Sequence, residues 1–432
     1  MSKQPAVLAY SGGLDTSAIV AWLQDRDYEV HAVLVDVGQD EDLPAVCQRA
    51  LVQGAASSVI RDAKAAMMKT VIPRAIGLAA TYEGNYRLGT ALARPFIAQA
   101  QVQRARELGG GTLVHGATGK GNDQVRFEFA YRSLAPDLPV LAPWKTWDLK
   151  GREDLVAYLR DRGVEGDFEA VKLYSLDENL WHLSVEGGAL EDPCNRLDVE
   201  NVLAAVSDRF ATVPDESMSP QEVEVAFEHG IPVALNGQAL PLIDLIDRIN
   251  RGYRFAPWAW DLVLENRFTG IKSRGVYINP AAKLLHLAAD ALARTVHNKP
   301  TYDLYVDWGR AYGELLYRGA YFSDQRLAIE AASDQVLQKM TGSVTVALQP
   351  MPYAARIVAP GAVFRRDLAT FEASDFSHAH ADGFIKLSWL SCVGRPFAEP
   401  HDEDPVETAG APEPGVRATQ QLSGGGLVPS AV

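Results

Sequence analysis

Residues 9–17 read Ala-Tyr-Ser-Gly-Gly-Leu-Asp-Thr-Ser, set between a short apolar run, Ala6 to Ala9, and a stretch with helical apolar spacing, Ser17 to Leu23. The run reads as a buried parallel strand and the stretch as a helix, so the glycines fall at a strand-to-helix junction. Gly12 and Gly13 let the backbone approach an anion without a Cβ clash, and Ser11, Thr16 and Ser17 add hydroxyl donors. Amides at a helix start face an anion with a favourable dipole. The segment therefore predicts a phosphate-binding turn at the carboxyl edge of a sheet.

Strand candidates Glu29 to Asp36, Ser58 to Arg61, Thr112 to His115 and Pro139 to Ala142 alternate with helix candidates Asp42 to Gln53, Thr90 to Leu108 and Lys150 to Arg162. That alternation predicts an α/β fold, a doubly wound parallel sheet with ligands beyond the carboxyl ends of its strands. After about Gly166 the pattern changes to shorter strands, Val223 to Phe227 and Val344 to Leu348 among them, mixed with helices Leu240 to Ile249 and Pro280 to Val296. An α+β region is expected there. At 432 residues the chain exceeds one ordinary core. The expected divisions are 1–165, 166–398 and a flexible tail at 399–432, rich in Pro, Gly, Glu and Asp.

A net charge of −14 argues against a nonspecific nucleic-acid surface and against acidic membranes, so anionic substrates must be met by local Arg and Lys. Cys47, Cys194 and Cys392 form neither a Cys-x-x-Cys pair nor an even disulfide set. With no basic-then-apolar leader and no apolar run near a membrane span, a reduced cytoplasm is the expected location.

The first loop lacks the Gly-Lys-Ser/Thr of a Walker A motif and is not Gly-x-Gly-x-x-Gly. Ser-Gly-Gly-x-Asp-x-Ser resembles the pyrophosphate loop of the N-type ATP pyrophosphatases, which split ATP into AMP and pyrophosphate. A carboxylate beside a triphosphate is repulsive unless it holds a divalent cation, so Asp15 implies Mg²⁺. A second glycine loop, His115-Gly-Ala-Thr-Gly-Lys-Gly-Asn-Asp-Gln-Val-Arg-Phe-Glu128, follows another strand at the same edge. Lys120 does not make it a Walker A loop, because Val114 and Gly121 stand where that motif needs Gly and Ser or Thr. Thr118, Asn122, Asp123 and Arg126 offer acceptors for an ammonium and donors for a carboxylate, with Asn122 also placed to cap the following helix.

Four motifs occur in order: the first loop, Leu-Gly-Thr-Ala-Leu-Ala-Arg-Pro at 88–95, the second loop, and Glu-Asn-Arg-Phe-x-Gly-x-Lys-Ser-Arg-Gly at 265–275. Together they resemble the argininosuccinate synthase family over about Ala6 to Ile385. The resemblance implies ligation of citrulline and aspartate through citrullyl-AMP, with release of AMP and pyrophosphate, by a homotetramer. By position it implies that Ala9, Tyr10, Ser11, Gly12, Gly13, Leu14, Asp15, Thr16, Ser17, Val35 and Gly116 bind ATP. Thr118, Asn122 and Asp123 would hold aspartate. Tyr86, Asn122, Arg126, Ser175, Ser184, Glu265 and Tyr277 would hold citrulline in a cleft between domains. Asp15, Asp123 and Arg126 are the catalytic candidates, and the proton acceptor for aspartate's amine is left open between Asp123 and a phosphate oxygen. Val35, Ala91 and Asn279 depart from residues common in relatives without removing a group the chemistry needs.

Rival readings lack their own requirements. A tRNA-modifying ligase with the same first loop would want reactive cysteines or a basic RNA face, and a glutamine-dependent relative would need an amidotransferase half. Cys47, in a helix, reads as structural. Asp375 to Asp382, with His378 and His380, reads as a surface loop rather than a metal site, since histidines two apart point the same way only on a strand. A nucleotide-binding sensor without turnover remains the non-enzyme alternative.

Overall fold

A computed structural model describes residues 3–119, 121–164, 173–209, 222–348, 351–365 and 378–392. The tail expected over 399–432 and Lys120 lie outside the described residues.

The first sheet contains β1 (Gln4–Ala9), β2 (Tyr28–Asp36), β3 (Ser57–Asp62), β4 (Thr112–Val114) and β5 (Val140–Leu141) in the order β3-β2-β1-β4-β5, all parallel. Order reverses at β1, whose neighbours β2 and β4 carry the chain to opposite sides, so a crevice opens at its carboxyl end. Helices Leu14–Gln24 and Gly89–Glu107 both pack on β1. The central strands are buried because each carries apolar side chains on both faces, as Val7 and Leu8 do. Buried Gln101 ties helix Gly89–Glu107 to this sheet, its amide donating to the carbonyls of Val7 at 3.0 Å and Val114 at 2.9 Å.

Two antiparallel sheets follow. One joins β6 (Ser175–Asn179), β7 (His182–Glu186), β11 (Trp260–Asn266) and β12 (Lys272–Ile278) in the order β11-β12-β7-β6. The other joins β8 (Glu222–Glu228), β9 (Ile231–Leu235), β10 (Gln238–Ala239), β13 (Gly342–Ala347) and β14 (Tyr353–Val358) in the order β10-β9-β8-β13-β14. Helix Pro280–Val296 is apolar along its core-facing stripe and packs on β13 and β14. The mixed α/β second half matches the expectation from the change of pattern after about Gly166. Helices Val199–Arg209, Leu242–Tyr253, Lys299–Tyr317 and Asp324–Leu337 also belong to it.

The contacts divide the chain into a unit at Met1–Phe364 and a second from Arg365 onward. Within the latter, His378–Cys392 is a helix, not the loop expected around His378 and His380. Ala379, Ala381, Leu387 and Leu390 are strong helix formers, which favours helix over loop here. Among the described residues no group of three or more His, Cys, Asp or Glu is placed to hold a metal ion.

Candidate active site

The first cavity, about 930 Å³, opens at the carboxyl ends of β1 and β2. Ala9 through Thr16, Val35 and Gly116 line it. Helix Leu14–Gln24 has no side-chain cap, and its first intrahelical bond runs from the Ser17 amide to Gly13 O, so the Leu14, Asp15 and Thr16 amides lack partners within the helix.

The two glycines have different causes. Gly12 has φ +73°, and a Cβ there would sit 2.6 Å from Val46 Cγ1, so packing of helix Leu43–Val52 alone requires glycine. A Cβ on Gly13 would meet only Ser11 Oγ, at 3.5 Å, which leaves its backbone as the open approach for an anion. Arg49, unforeseen in the sequence, lines the same cavity and donates to Gly12 O at 2.9 Å.

Ser17 stands apart from the other loop residues. It is fully buried, does not line the cavity, and its hydroxyl accepts from Gln53 Nε2 at 3.0 Å. The Tyr10 hydroxyl donates to the same Gln53 side chain at 2.8 Å. Gln53 thus braces the turn from behind, through the two side chains the motif directs inward.

The second cavity, about 300 Å³, is lined by Tyr86, Thr118, Asn122, Asp123, Arg126, Ser175, Ser184, Glu265 and Tyr277, all the residues expected for the two amino acids. Their convergence follows from strand register. Tyr277, Ser184 and Asp177 are partners across β12, β7 and β6, and the next row on that face is Gly275, Glu186 and Ser175. A Cβ on Gly275 would lie 3.1 Å from the Tyr277 hydroxyl and 3.2 Å from Glu186 Cγ, so glycine keeps room for both.

The second loop supplies the opposite wall. Asn122 occupies the N-cap position but makes no capping bond. Its side chain instead donates to the Tyr317 hydroxyl at 2.7 Å and accepts from the Phe268 amide at 2.7 Å, which ties the loop to the second half of the chain. Arg126 is buried, donating from Nη1 to Asp123 Oδ1 at 2.8 Å and from Nε to Tyr317 O at 2.9 Å, while its buried Nη2 has no partner. A buried donor without a partner calls for an acceptor, and Arg126 lines the second cavity. Tyr86 is 3% exposed, packed edge-on against Tyr277 and Tyr317 at centroid distances of 4.9 and 5.6 Å.

Sequence reading missed Arg94, Asp177, Glu186 and Arg267 as site residues. Arg94 donates to Asp123 Oδ2 at 2.8 Å and to Asp177 Oδ2 at 2.6 Å. Burial works against the charged Asp123, but Arg94 and Arg126 outweigh it and hold that carboxyl at about 2. At the other end Glu186 is pushed up to about 7 by burial and by the charge of Glu265, with Arg267 opposing. Burial also raises Glu265. Thus Glu186, Glu191 and Glu265 gather around Arg267, each 3.5 Å from its guanidinium. The missed signals were spacing: Thr90 and Arg94 are one helical turn apart, and Ser175/Asp177 and Ser184/Glu186 alternate on strands.

Val35 is buried and lines the first cavity. Ala91 is fully buried, and Asn279, also buried, leaves its Oδ1 without a partner.

The chain matches the family models for the arginosuccinate synthase N-terminal HUP domain over residues 5–165 and the arginosuccinate synthase C-terminal domain over residues 174–393. An argininosuccinate synthase of Caldanaerobacter subterraneus subsp. tengcongensis is 40% identical over 422 residues, covering 95% of this chain and 100% of the relative. One of Caldicellulosiruptor saccharolyticus is 40% identical over 394 residues, covering 90% and 96%. One of Pseudoalteromonas atlantica is 41% identical over 398 residues, covering 90% and 95%.

Proposed function

This chain belongs to the argininosuccinate synthase family, ligases that join citrulline to aspartate with ATP in arginine biosynthesis, and from that premise we propose how its residues divide the work. The observation that carries the assignment is that the two cavities share lining residues, Arg94, Ala117, Asp123, Ser175 and Asp177. A nucleotide in one and amino acids in the other would react at that junction.

ATP lies in the first cavity with its phosphates at the Ser11 to Thr16 turn and its base toward Val35, and Gly116 approaches it from the second loop. Citrulline occupies the second cavity. The free Nη2 of Arg126 binds its carboxylate, and the surplus of Glu186 and Glu265 over Arg267 binds its ammonium, with Tyr86, Asn122, Ser175, Ser184 and Tyr277 completing the contacts. Thr118, Asn122 and Asp123 hold aspartate. The ureido oxygen attacks the α-phosphorus, pyrophosphate departs, and aspartate's amine then displaces AMP. Rate comes from holding three substrates in line and from donors aimed at the charge that grows on pyrophosphate.

Burial raises the Asp15 carboxyl above its ordinary value, with the charge of Arg152 opposing, so a further cation beside it would be favoured. That environment fits Mg²⁺ carried in with the triphosphate, with Asp15 as its protein ligand. The ion would neutralise charge on the departing pyrophosphate.

We further assign 1–165 to nucleotide binding and 166–398 to synthetase and assembly functions, in a cytoplasmic homotetramer. Support for assembly comes from exposed apolar side chains on β11, Leu262 and Leu264, and on helix His378–Cys392, Phe384, Ile385, Leu387, Trp389 and Leu390. Among the described residues no helix is long and apolar enough to cross a membrane.

Pyrophosphate release tests the assignment. It should require citrulline and aspartate together with ATP and Mg²⁺. Release no faster with both amino acids than with ATP alone would refute it.

A further inference from the structure

We propose that Asp177 takes the proton from aspartate's amine as the new C–N bond forms. This rests on the reading of the two cavities as nucleotide and amino-acid sites. The reacting carbon must lie where they join, and among the described residues the only carboxylates lining both are Asp123 and Asp177. Asp15, Glu41 and Glu178 line the first cavity alone, and Glu186, Glu191 and Glu265 the second alone.

The two shared carboxylates differ in what their oxygens hold. Both oxygens of Asp123 accept charged hydrogen bonds, Oδ1 from Arg126 and Oδ2 from Arg94. Those guanidiniums hold its carboxyl at about 2, which makes it a weak proton acceptor. On Asp177, one oxygen does all the accepting: Oδ2 takes Arg94 Nη2 at 2.6 Å and the Thr90 hydroxyl at 3.1 Å. Among the described residues Oδ1 accepts no hydrogen bond, and the side chain, which lines both cavities, is 36% exposed.

A buried chain fixes that orientation. Thr90 spends its single hydroxyl hydrogen on Asp177, so the contact of 3.2 Å between Thr90 Oγ1 and His182 Nε2 assigns the donor role to His182. Burial lowers His182 to about 4, consistent with a neutral ring protonated at Nε2. Asp177 also sits opposite Ser184 in the β6–β7 register, and Ser184 Oγ donates to Asp177 O at 3.4 Å. The carboxylate is thereby held through Oδ2 and its own backbone, which leaves Oδ1 as the oxygen able to take a proton.

The step balances as follows. The lone pair of the free amine forms the C–N bond to the adenylated ureido carbon, and the C–O electron pair leaves with AMP. The surplus proton on the new nitrogen passes to Asp177 Oδ1 and is released to solvent after product departs. No oxidant, reductant or further co-reactant is needed.

Asp177→Asn tests the assignment, since the amide oxygen still accepts from Arg94 and Thr90 while the group at the junction no longer accepts a proton. Two readouts are taken. The first is scrambling of ¹⁸O from the α–β bridge of ATP into the β-nonbridging positions with citrulline but without aspartate, which reports adenylation alone. The second is argininosuccinate formation. We expect scrambling within about twofold of wild type and ligation slower by about 100-fold or more, the usual contribution of a general base. Full ligation in the variant overturns the proposal. Loss of scrambling also overturns it, because Asp177 would then serve adenylation or folding. Absence of citrulline-dependent scrambling in the wild type would defeat the underlying reading, and the proposal with it.

Discussion

Replacing Glu186 by glutamine should stabilise the unliganded protein while weakening its hold on citrulline. In the folded chain this carboxyl is pushed from its ordinary value of 4.5 up to about 7 by burial and by Glu265. A carboxyl with a raised folded value favours folding below its unfolded value, and that advantage disappears as pH rises through the folded one. Wild type therefore loses stability between about pH 4.5 and about pH 7, a loss the non-titrating glutamine escapes. The full gap corresponds to roughly 3 kcal/mol at about 1.4 kcal/mol per pH unit. Glu186 keeps 30% of its side-chain surface open to the cavity, and solvent screening there reduces the expected gain to about 1–2 kcal/mol. Melting curves of both proteins at pH 5 and pH 8.5, without ligands, read it out. The variant should melt a few degrees higher at pH 8.5 and nearly level with wild type at pH 5. Saturating citrulline should raise the wild-type melting point more than the variant's, because tighter binding to the folded state stabilises more. A difference equal at both pH values, or a variant less stable at pH 8.5, would refute the reasoning.

Gly89→Ala should be destabilising even though alanine is the better helix former. Its Cβ would lie 2.0 Å from Cγ of His182, whose buried ring stacks on Tyr277 and bonds Thr90. Overpacking of this kind costs about 1–3 kcal/mol, and because Ser184 and Glu186 share a strand with His182 the KM for citrulline should rise; wild-type melting and KM would count against the packing account. Asp15→Asn should lower turnover by about 100-fold or more and raise the Mg²⁺ concentration needed for half-maximal rate; an unchanged Mg²⁺ titration would remove Asp15 from the metal.

Local signals carried the N-terminal half. β1 to β5 have apolar runs separated by glycine turns, and the expected bounds differ from the observed strands by only a residue or two at each end. The second half was harder to read because its site depends on pairing between distant strands. Tyr277 meets Ser184 and Asp177 only through the β12–β7–β6 register, which no spacing within one segment reveals. Asp177 and Glu186 look like ordinary polar residues until their rows are known. Asn122 shows the opposite difficulty. Its position satisfies the local rule for a helix cap, but tertiary partners Tyr317 and Phe268 take its side chain. Ser17 and Tyr10 belong to the motif yet turn inward to Gln53, a partner 36 residues beyond Ser17.

The central claim is that nucleotide and citrulline meet at the junction of the two cavities, so that the ureido oxygen attacks the α-phosphorus. Citrulline labelled with ¹⁸O in its ureido group measures this directly by the fate of the label after one turnover. The account predicts the label in the phosphate of AMP. Label in pyrophosphate or in water, with unlabelled AMP, would contradict it.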